Sequence, residues 1–482
     1  MLHPTLLLLI VGTVVFGFLL RQRMKTRPSL LLPPGPPALP LIGNVLDIPS
    51  NGAPGFHDLC QKYGDIVHLN IAGKSMIILG SQQAASELLD KRSLNYSDRP
   101  PPYGGNFFNQ TAVLNYATDQ RLEAHRLVMR LVDKPEAFLD HIGHMFGSSI
   151  MRVVYGLEVD EEPVDYLKMA EETMAIFSET LLPGKYIIEF LQFLRYLPSW
   201  VPGAAVKSKG PAWRQVVWRL VEEPWKFVMT SMREGAVRPS MAASLMADVP
   251  QSYGENTDVS EEEELFRSTS ATAYAVFFLA MVTHPQALQK AQAELDTVVG
   301  SYRLPDFEDM KSLPYIRALM KELFRWRVSG PLGFPHCAVE DDEYRGYRIP
   351  KGAILVANIW AVSRDPNVYP DPDVFMPERF LKDGELNPDV RDPATFAFGY
   401  GRRICPGRHY VASMLFIVVT TVLHTLSITA PLDKDGNPVH LEGKMMPGLV
   451  ASRNRHPEPF ECVIKPRSEE AIALVRRALE TS

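Results

Sequence analysis

Cys405 stands in the run Phe398-Gly-Tyr-Gly401-Arg-Arg403-Ile-Cys405-Pro-Gly407, just ahead of an apolar stretch that opens at Arg408. A cysteine at the point where a loop becomes a helix meets unpaired backbone N–H groups and the positive end of the helix dipole, and both favour the thiolate. Gly401 and Gly407 allow tight turns and close backbone approach to a flat ligand. Phe398 can pack on the sulfur side of such a ligand, and Arg403 offers charge to a carboxylate. A lone cysteine is usually an inert core residue, because a free thiol packs as a small hydrophobe; the Phe, Gly and Arg frame sets this one apart. The other cysteines, Cys60, Cys337 and Cys462, form no CxxC and pair with no histidine at zinc spacing. Four cysteines so placed exclude a disulfide framework and a zinc ribbon.

The elements that position this loop follow from spacing and breakers. Arg408 to Leu426 reads as a long apolar helix behind the cysteine. Arg317 to Arg327 reads as another helix, on which Glu322 and Arg325, three apart, share a face. Ser268 to Val299 is helical, broken at Pro285 and stopped at Gly300, and a polar acidic stretch from Asp248 to Glu264 leads into it. From Glu123 to Leu157 apolar residues recur at helical spacing, with Lys134-Pro135 as an interruption. Tyr63 to Ile71 and Lys74 to Leu79 read as a strand pair around Ala72-Gly73. Ser81 caps a helix running through Leu89. Tyr344 to Ile359 reads as a second strand pair, around Pro350-Lys-Gly352. Ser178 to Val206, rich in aromatics and leucines, lies against a membrane, lines an apolar entrance or is simply core. The fold class is mainly α with small β-sheets.

Residues 1–20 carry no charge and are nearly all apolar from Thr5 to Leu20, enough for one transmembrane helix. Arg21, Arg23, Lys25 and Arg27 follow at once, so the expected orientation keeps the rest of the chain in the cytosol. A cleaved signal peptide would place its basic cluster ahead of the apolar run and a small-residue site behind it. Leu32-Pro-Pro-Gly-Pro-Pro37 then reads as a stiff, extended hinge. The expected division is a 1–20 anchor, a 21–44 basic flank and hinge, and a 45–482 catalytic body. The 482 residues alone allow two to four domains. With 46% apolar and 22% charged residues, wholesale disorder is excluded, and a net charge of −6 argues against a nucleic-acid binder.

The loop F-x-x-G-x-R-x-C-x-G, complete here, resembles the haem-binding signature of the cytochrome P450 monooxygenases. The motif order fits as well. Lys321-Glu322-Leu-Phe-Arg325 is similar to the family's E-x-x-R, and Pro377-Glu378-Arg379-Phe380 to its P-E-R-F box, whose arginine completes a structural Glu–Arg–Arg network. The resemblance covers nearly the whole chain and supports one large body. It implies haem as cofactor with Cys405 as the proximal thiolate on the iron, donating electron density that favours O–O cleavage. It further implies His336 against a haem propionate, with Phe398, Gly401, Arg403 and Gly407 shaping the loop. NADPH-cytochrome P450 reductase would be the electron donor and an apolar small molecule the substrate. The anchor and proline hinge resemble the microsomal branch, hence an endoplasmic reticulum membrane with the body on the cytosolic side. Phe277-Phe-Leu-Ala-Met281 and Asp342 to Lys351 look most like fungal members, which suggests secondary metabolism, of a terpenoid or polyketide by analogy.

Two segments depart from the pattern. In the family a central helix carries [AG]-G-x-[DE]-T-[TS] over the haem. Aligned without gaps, Thr269 takes the alcohol place, Ser268 the acid place and Phe266 the glycine place; the alternative is that two to three helical turns are absent between Arg267 and Ser268. On either alignment the usual proton relay is not intact, and Thr269 with Ser268 are the remaining catalytic candidates. After Tyr96-Ser-Asp-Arg-Pro100 the family's W-x-x-x-R helix is not found near Asp119, and Arg121 and Arg126 are weak substitutes. These departures motivate two alternatives: a haem-containing, isomerase-like or impaired member, and a membrane-bound binding protein that no longer holds haem.

Overall fold

The computed structural model describes residues 30–97, 115–180, 206–248, 260–441, 443–445 and 457–481, without the side chains of 174–175, 177–180, 206–207, 221, 245–248 and 260–271. The apolar stretch 1–20 and most of Ser178 to Val206 therefore lie outside the described residues. Among the described residues no helix is long and apolar enough to cross a membrane.

The chain begins with α1 (Ala53–Tyr63), β1 (Ile66–Ile71), β2 (Lys74–Leu79) and α2 (Gln82–Ala85), which runs into a π-helical turn, Ser86–Asp90. Then come α3 (Ala117–Asp133), α4 (Phe138–Tyr155), α5 (Tyr166–Thr180), α6 (Val206–Arg233), α7 (Met241–Asp248), α8 (Ser260–Thr283), α9 (Pro285–Val298) and α10 (Pro314–Trp326). The last third holds β3 (His336–Cys337), β4 (Asp342–Tyr344), β5 (Tyr347–Ile349), β6 (Ile354–Ala357), α11 (Ile359–Ser363), α12 (Ala394–Ala397), α13 (Arg408–Thr425), β7 (Leu426–Thr429), β8 (Val463–Pro466) and α14 (Glu469–Glu480). The body is mainly helical, with small sheets.

The hairpin of β1 and β2 forms as the sequence indicates. Ala72 and Gly73 both take positive φ, 46° and 93°, the twist a two-residue hairpin turn requires. Ser81 caps α2, its Oγ accepting from Ala84 N at 3.1 Å. Lys134-Pro135 separates α3 from α4, because the residue ahead of a proline is driven out of the helical region and Lys134 sits at φ −139°, ψ 72°.

The strand pair expected around Pro350-Lys-Gly352 is not a pair. β5 pairs with β4 through a turn at Arg345-Gly346, both at positive φ, whereas β6 lies parallel to β2 and antiparallel to β3 in a four-stranded sheet ordered β1-β2-β6-β3. The reason is burial. Leu355, Val356 and Ala357 are all buried, as suits a central strand covered on both faces, while β5 buries Ile349 and leaves Tyr347 and Arg348 half-exposed. Pro350 to Gly352 is thus a link between two sheets.

The main core gathers α3, α4, α8, α9, α10 and α13. α13 is buried almost all round: every residue from Met414 to Thr425 is buried, which explains an apolar run without a polar face. Its C-terminal end is clamped by Arg467, which pairs with Asp296 at 2.6 Å and donates to His424 O at 3.2 Å.

Candidate active site

The loop before α13 is held by its own backbone. Gly399 and Gly401 take φ of +81° and +60°, turning the chain so that Cys405 N donates to Phe398 O at 2.8 Å. Gly407 is the N-cap of α13, and Arg408 N donates to Cys405 O at 3.3 Å, so Cys405 lies two residues ahead of the cap. Cys405 is half-buried, while Phe398 is buried with its ring edge-on to Phe324 at 5.1 Å. Gly401 tolerates no side chain: a Cβ there would stand 2.1 Å from Leu89 O.

Beneath the loop the structure brings Glu322, Arg325 and Arg379 together. Glu322 Oε2 accepts from Arg325 Nε at 2.7 Å, and Oε1 accepts from Arg325 Nη2 at 2.7 Å, Arg379 Nε at 3.2 Å and Met376 N at 2.8 Å. Glu322 and Arg325 are fully buried, and Arg325 also donates to the carbonyls of Ser363 and Pro372. A buried charge pair of this kind persists only when its remaining donors and acceptors are satisfied, as here. Arg379 donates to Pro370 O at 2.6 Å and so ties α10 to the segment leading toward the cysteine loop.

His336 opens β3, half-buried, with Nδ1 2.7 Å from Tyr96 O; a carbonyl partner makes Nδ1 the protonated nitrogen. Arg403 Nη2 reaches Ser97 O at 3.5 Å, so an imidazole and a guanidinium from distant parts of the chain gather on adjacent carbonyls. The donor set is a half-exposed thiol at a helix head with two potential cations on one neighbouring segment, which fits an iron porphyrin bearing anionic side arms.

The two departures have different outcomes. Phe266, Ser268 and Thr269 lie on the backbone of α8, and their side chains are outside the described residues. Arg121 and Arg126, the weak substitutes for the missing W-x-x-x-R, are both engaged in ion pairs within the protein. Arg121 pairs with Asp306 at 2.7 Å, and Arg126 with Glu123 at 2.9 Å and Glu158 at 3.3 Å. The cause is local: Glu123 is fully buried on α3, where burial pushes its carboxyl up and Arg126 beside it pulls it back down. Asp119 faces Arg152 at 3.5 Å. Sequence reasoning missed the contacts of Gln82, Leu89, Asp90, Tyr96 and Ser97 with the loop or with His336. The tyrosine and serine lie in the motif singled out above, and the helix cap at Ser81 pointed to the neighbourhood.

A cysteine loop at the head of a buried helix, braced by a Glu–Arg–Arg cluster within a mainly helical body, is the arrangement of the haem-thiolate oxygenases. The family model described as Cytochrome P450 matches residues 33–139 and 267–451. Cytochrome P450 monooxygenase COX2 of Coprinopsis cinerea is 38% identical over 93% of this chain and 92% of its own length. Tryptamine 4-monooxygenase of Psilocybe cyanescens is 34% identical over 98% of this chain and 100% of its own. The chain belongs to the cytochrome P450 family, and with membership come an oxidoreductase activity, a haem-thiolate iron cofactor, a redox partner and a small-molecule substrate. Cytochrome P450 monooxygenase COX1 of Coprinopsis cinerea, 34% identical over 99% of this chain and 100% of its own length, aligns over 526 positions. Against 482 residues, that leaves at least 44 positions at which this chain has no residue.

Proposed function

We propose that the protein is a membrane-anchored haem-thiolate monooxygenase that hydroxylates or otherwise oxidises an apolar small molecule of fungal secondary metabolism. Residues 1–20 form the anchor, 21–44 the hinge, and 45–482 the catalytic body, held on the cytosolic side of the endoplasmic reticulum. Cys405 would hold the haem iron through its thiolate. The observation that carries this is the loop from Phe398 to Gly407, which presents a half-buried thiol at the head of α13. The bound haem supplies the dioxygen-activating chemistry. Arg403 and His336 would pair with its anionic arms, Phe398 would pack against it, and Gly401 and Gly407 would let the loop approach closely. Thr269, with Ser268 next to it in the chain, would supply the hydroxyl for proton delivery. NADPH-cytochrome P450 reductase supplies electrons. One relative is by name a tryptamine 4-monooxygenase, which supports a small ring-bearing metabolite; a terpenoid or polyketide fits the same reading.

The test is the carbon-monoxide difference spectrum of the reduced protein. A thiolate-type band that disappears in Cys405→Ala is expected; a band that persists in the variant refutes the ligand assignment. A second reading, a haem protein that isomerises or binds without inserting oxygen, is favoured by the ion-paired Arg121 and Arg126. Reductase-supported NADPH consumption coupled to a hydroxylated product decides against it.

A further inference from the structure

The turn Ser86–Asp90 is wound as a π-helix, with Lys91 N donating to Ser86 O at 3.0 Å. An extra residue in one turn is unfavourable in isolation and recurs where a helix must aim a group at a functional site. Here the residues that end the turn meet the cysteine loop twice at one point. Leu89 O occupies the space a side chain on Gly401 would need, and the Asp90 carboxylate accepts the Gly401 N–H. One turn earlier, Gln82 Oε1 accepts from Tyr400 OH at 2.8 Å.

The same segment is fastened on its other side. Asn95 O accepts from Val339 N at 2.8 Å, and the Asn95 side chain accepts from Glu340 N at 2.8 Å and donates to Glu340 O at 3.3 Å. Tyr96, fully buried, donates its phenol to Asp342 Oδ2 at 2.6 Å, and Arg92 pairs with the same carboxylate at 2.9 Å. Tyr96 O accepts from His336 Nδ1 and Ser97 O accepts from Arg403 Nη2. Residues 82–97 therefore run as a brace between the cysteine loop and the strand that carries His336.

We propose that Asp90 is a positioning residue of the cofactor site, holding the Cys405 loop at fixed spacing from the segment on which His336 is anchored. The inference rests on Cys405 being the haem ligand. Any backbone carbonyl could satisfy an amide; a carboxylate here adds a charge-assisted bond to a loop bearing Arg402 and Arg403. The bond falls on a loop residue that has no room for a side chain, so Asp90 holds the loop where Leu89 O already fixes its approach.

The test uses the full-length, detergent-solubilised holoprotein and measures haem transfer to excess apomyoglobin together with the thiolate fraction of the carbon-monoxide spectrum. Asp90→Ala is expected to transfer haem about tenfold faster, equivalent to ~1.4 kcal/mol, and to lose part of the thiolate band. Asp90→Asn, which keeps an oxygen acceptor but not the charge, is expected to transfer haem at a rate between the two and to regain most of the thiolate band. A residue that served only general stability would shift the unfolding midpoint and leave transfer far below that midpoint unchanged. Tyr96→Phe, which frees the far end of the brace from Asp342, is expected to speed transfer in the same direction and stands in if Asp90→Ala does not accumulate. Wild-type transfer and spectrum in Asp90→Ala, or in Tyr96→Phe where that variant stands in, overturn the proposal, as does an Asp90→Asn protein as leaky as the alanine variant. A wild-type protein without any thiolate band would instead sink the Cys405 reading itself, and the positioning role with it.

Discussion

Glu322→Gln is the sharpest probe of the buried charge cluster. The two oxygens of Glu322 are unequal: Oε1 accepts from Arg325 Nη2, Arg379 Nε and Met376 N, while Oε2 accepts only from Arg325 Nε at 2.7 Å. A glutamine keeps the shape and will keep its oxygen where three donors converge. Its amide then faces Arg325 Nε, donor against donor. One charge-assisted hydrogen bond is lost, worth about 1.5–3 kcal/mol. Two arginines, one fully buried and the other nearly so, also lose their only shared counter-charge. Breaking a buried pair by removing one partner costs about 3–5 kcal/mol, and the upper half of that range is expected because Arg325 is fully buried. Against a total stability of about 5–15 kcal/mol, the variant should be marginal. Urea titration of the solubilised full-length protein, followed by circular dichroism and by haem absorbance, reads the change. A loss below about 1 kcal/mol would refute the view that Glu322 neutralises this cluster.

Acid should weaken the fold through His125, which burial first and Arg121 second hold down to about 4 from 6.5. The folded pKa is depressed, so the unfolded chain binds more protons between the two values, and stability falls as pH drops through that window; about 2 kcal/mol should go between pH 7 and pH 5. Urea midpoints across that range should flatten in His125→Gln, and an equally steep wild-type-like slope in the variant would contradict the assignment. Thiol labelling offers an independent check: burial pushes Cys60 and Cys462 up to about 12, so a maleimide at neutral pH should leave both unmodified in the native protein and label them after unfolding.

What the sequence made legible is what neighbouring residues decide together. The hairpin at Ala72-Gly73, the cap at Ser81, the break at Lys134-Pro135 and the cysteine loop are all local, and their geometry follows from φ preferences and single hydrogen bonds. Glu322 and Arg325 share a face by helical spacing alone, but that Met376 N completes their shell depends on a contact 54 positions away. The partner of β6 was not legible for the same reason: Pro350 to Gly352 looks like a hairpin turn, and only burial on both faces sends the strand to β2. Pro211 and Pro224 mask α6, which continues through both although proline ordinarily ends a helix. The π turn leaves no mark in residue types, so the seat of Gly401 could be found only in three dimensions.

The parallel pairing of β2 with β6 joins Met76 to Ile354 and Leu79 to Ala357. Nearly three hundred residues separate these partners, and a ribosome adding roughly 5–20 residues per second takes roughly a quarter to a full minute to cover them. Throughout that time one edge of the finished hairpin carries Ile77, Ile78 and Leu79, all fully buried in the mature protein, with no strand to cover it. A nascent chain in that state is a template for mispairing with its neighbours. Slowing synthesis without adding chaperone should therefore lower the yield of folded protein, because the emerging hairpin edge stays uncovered for longer.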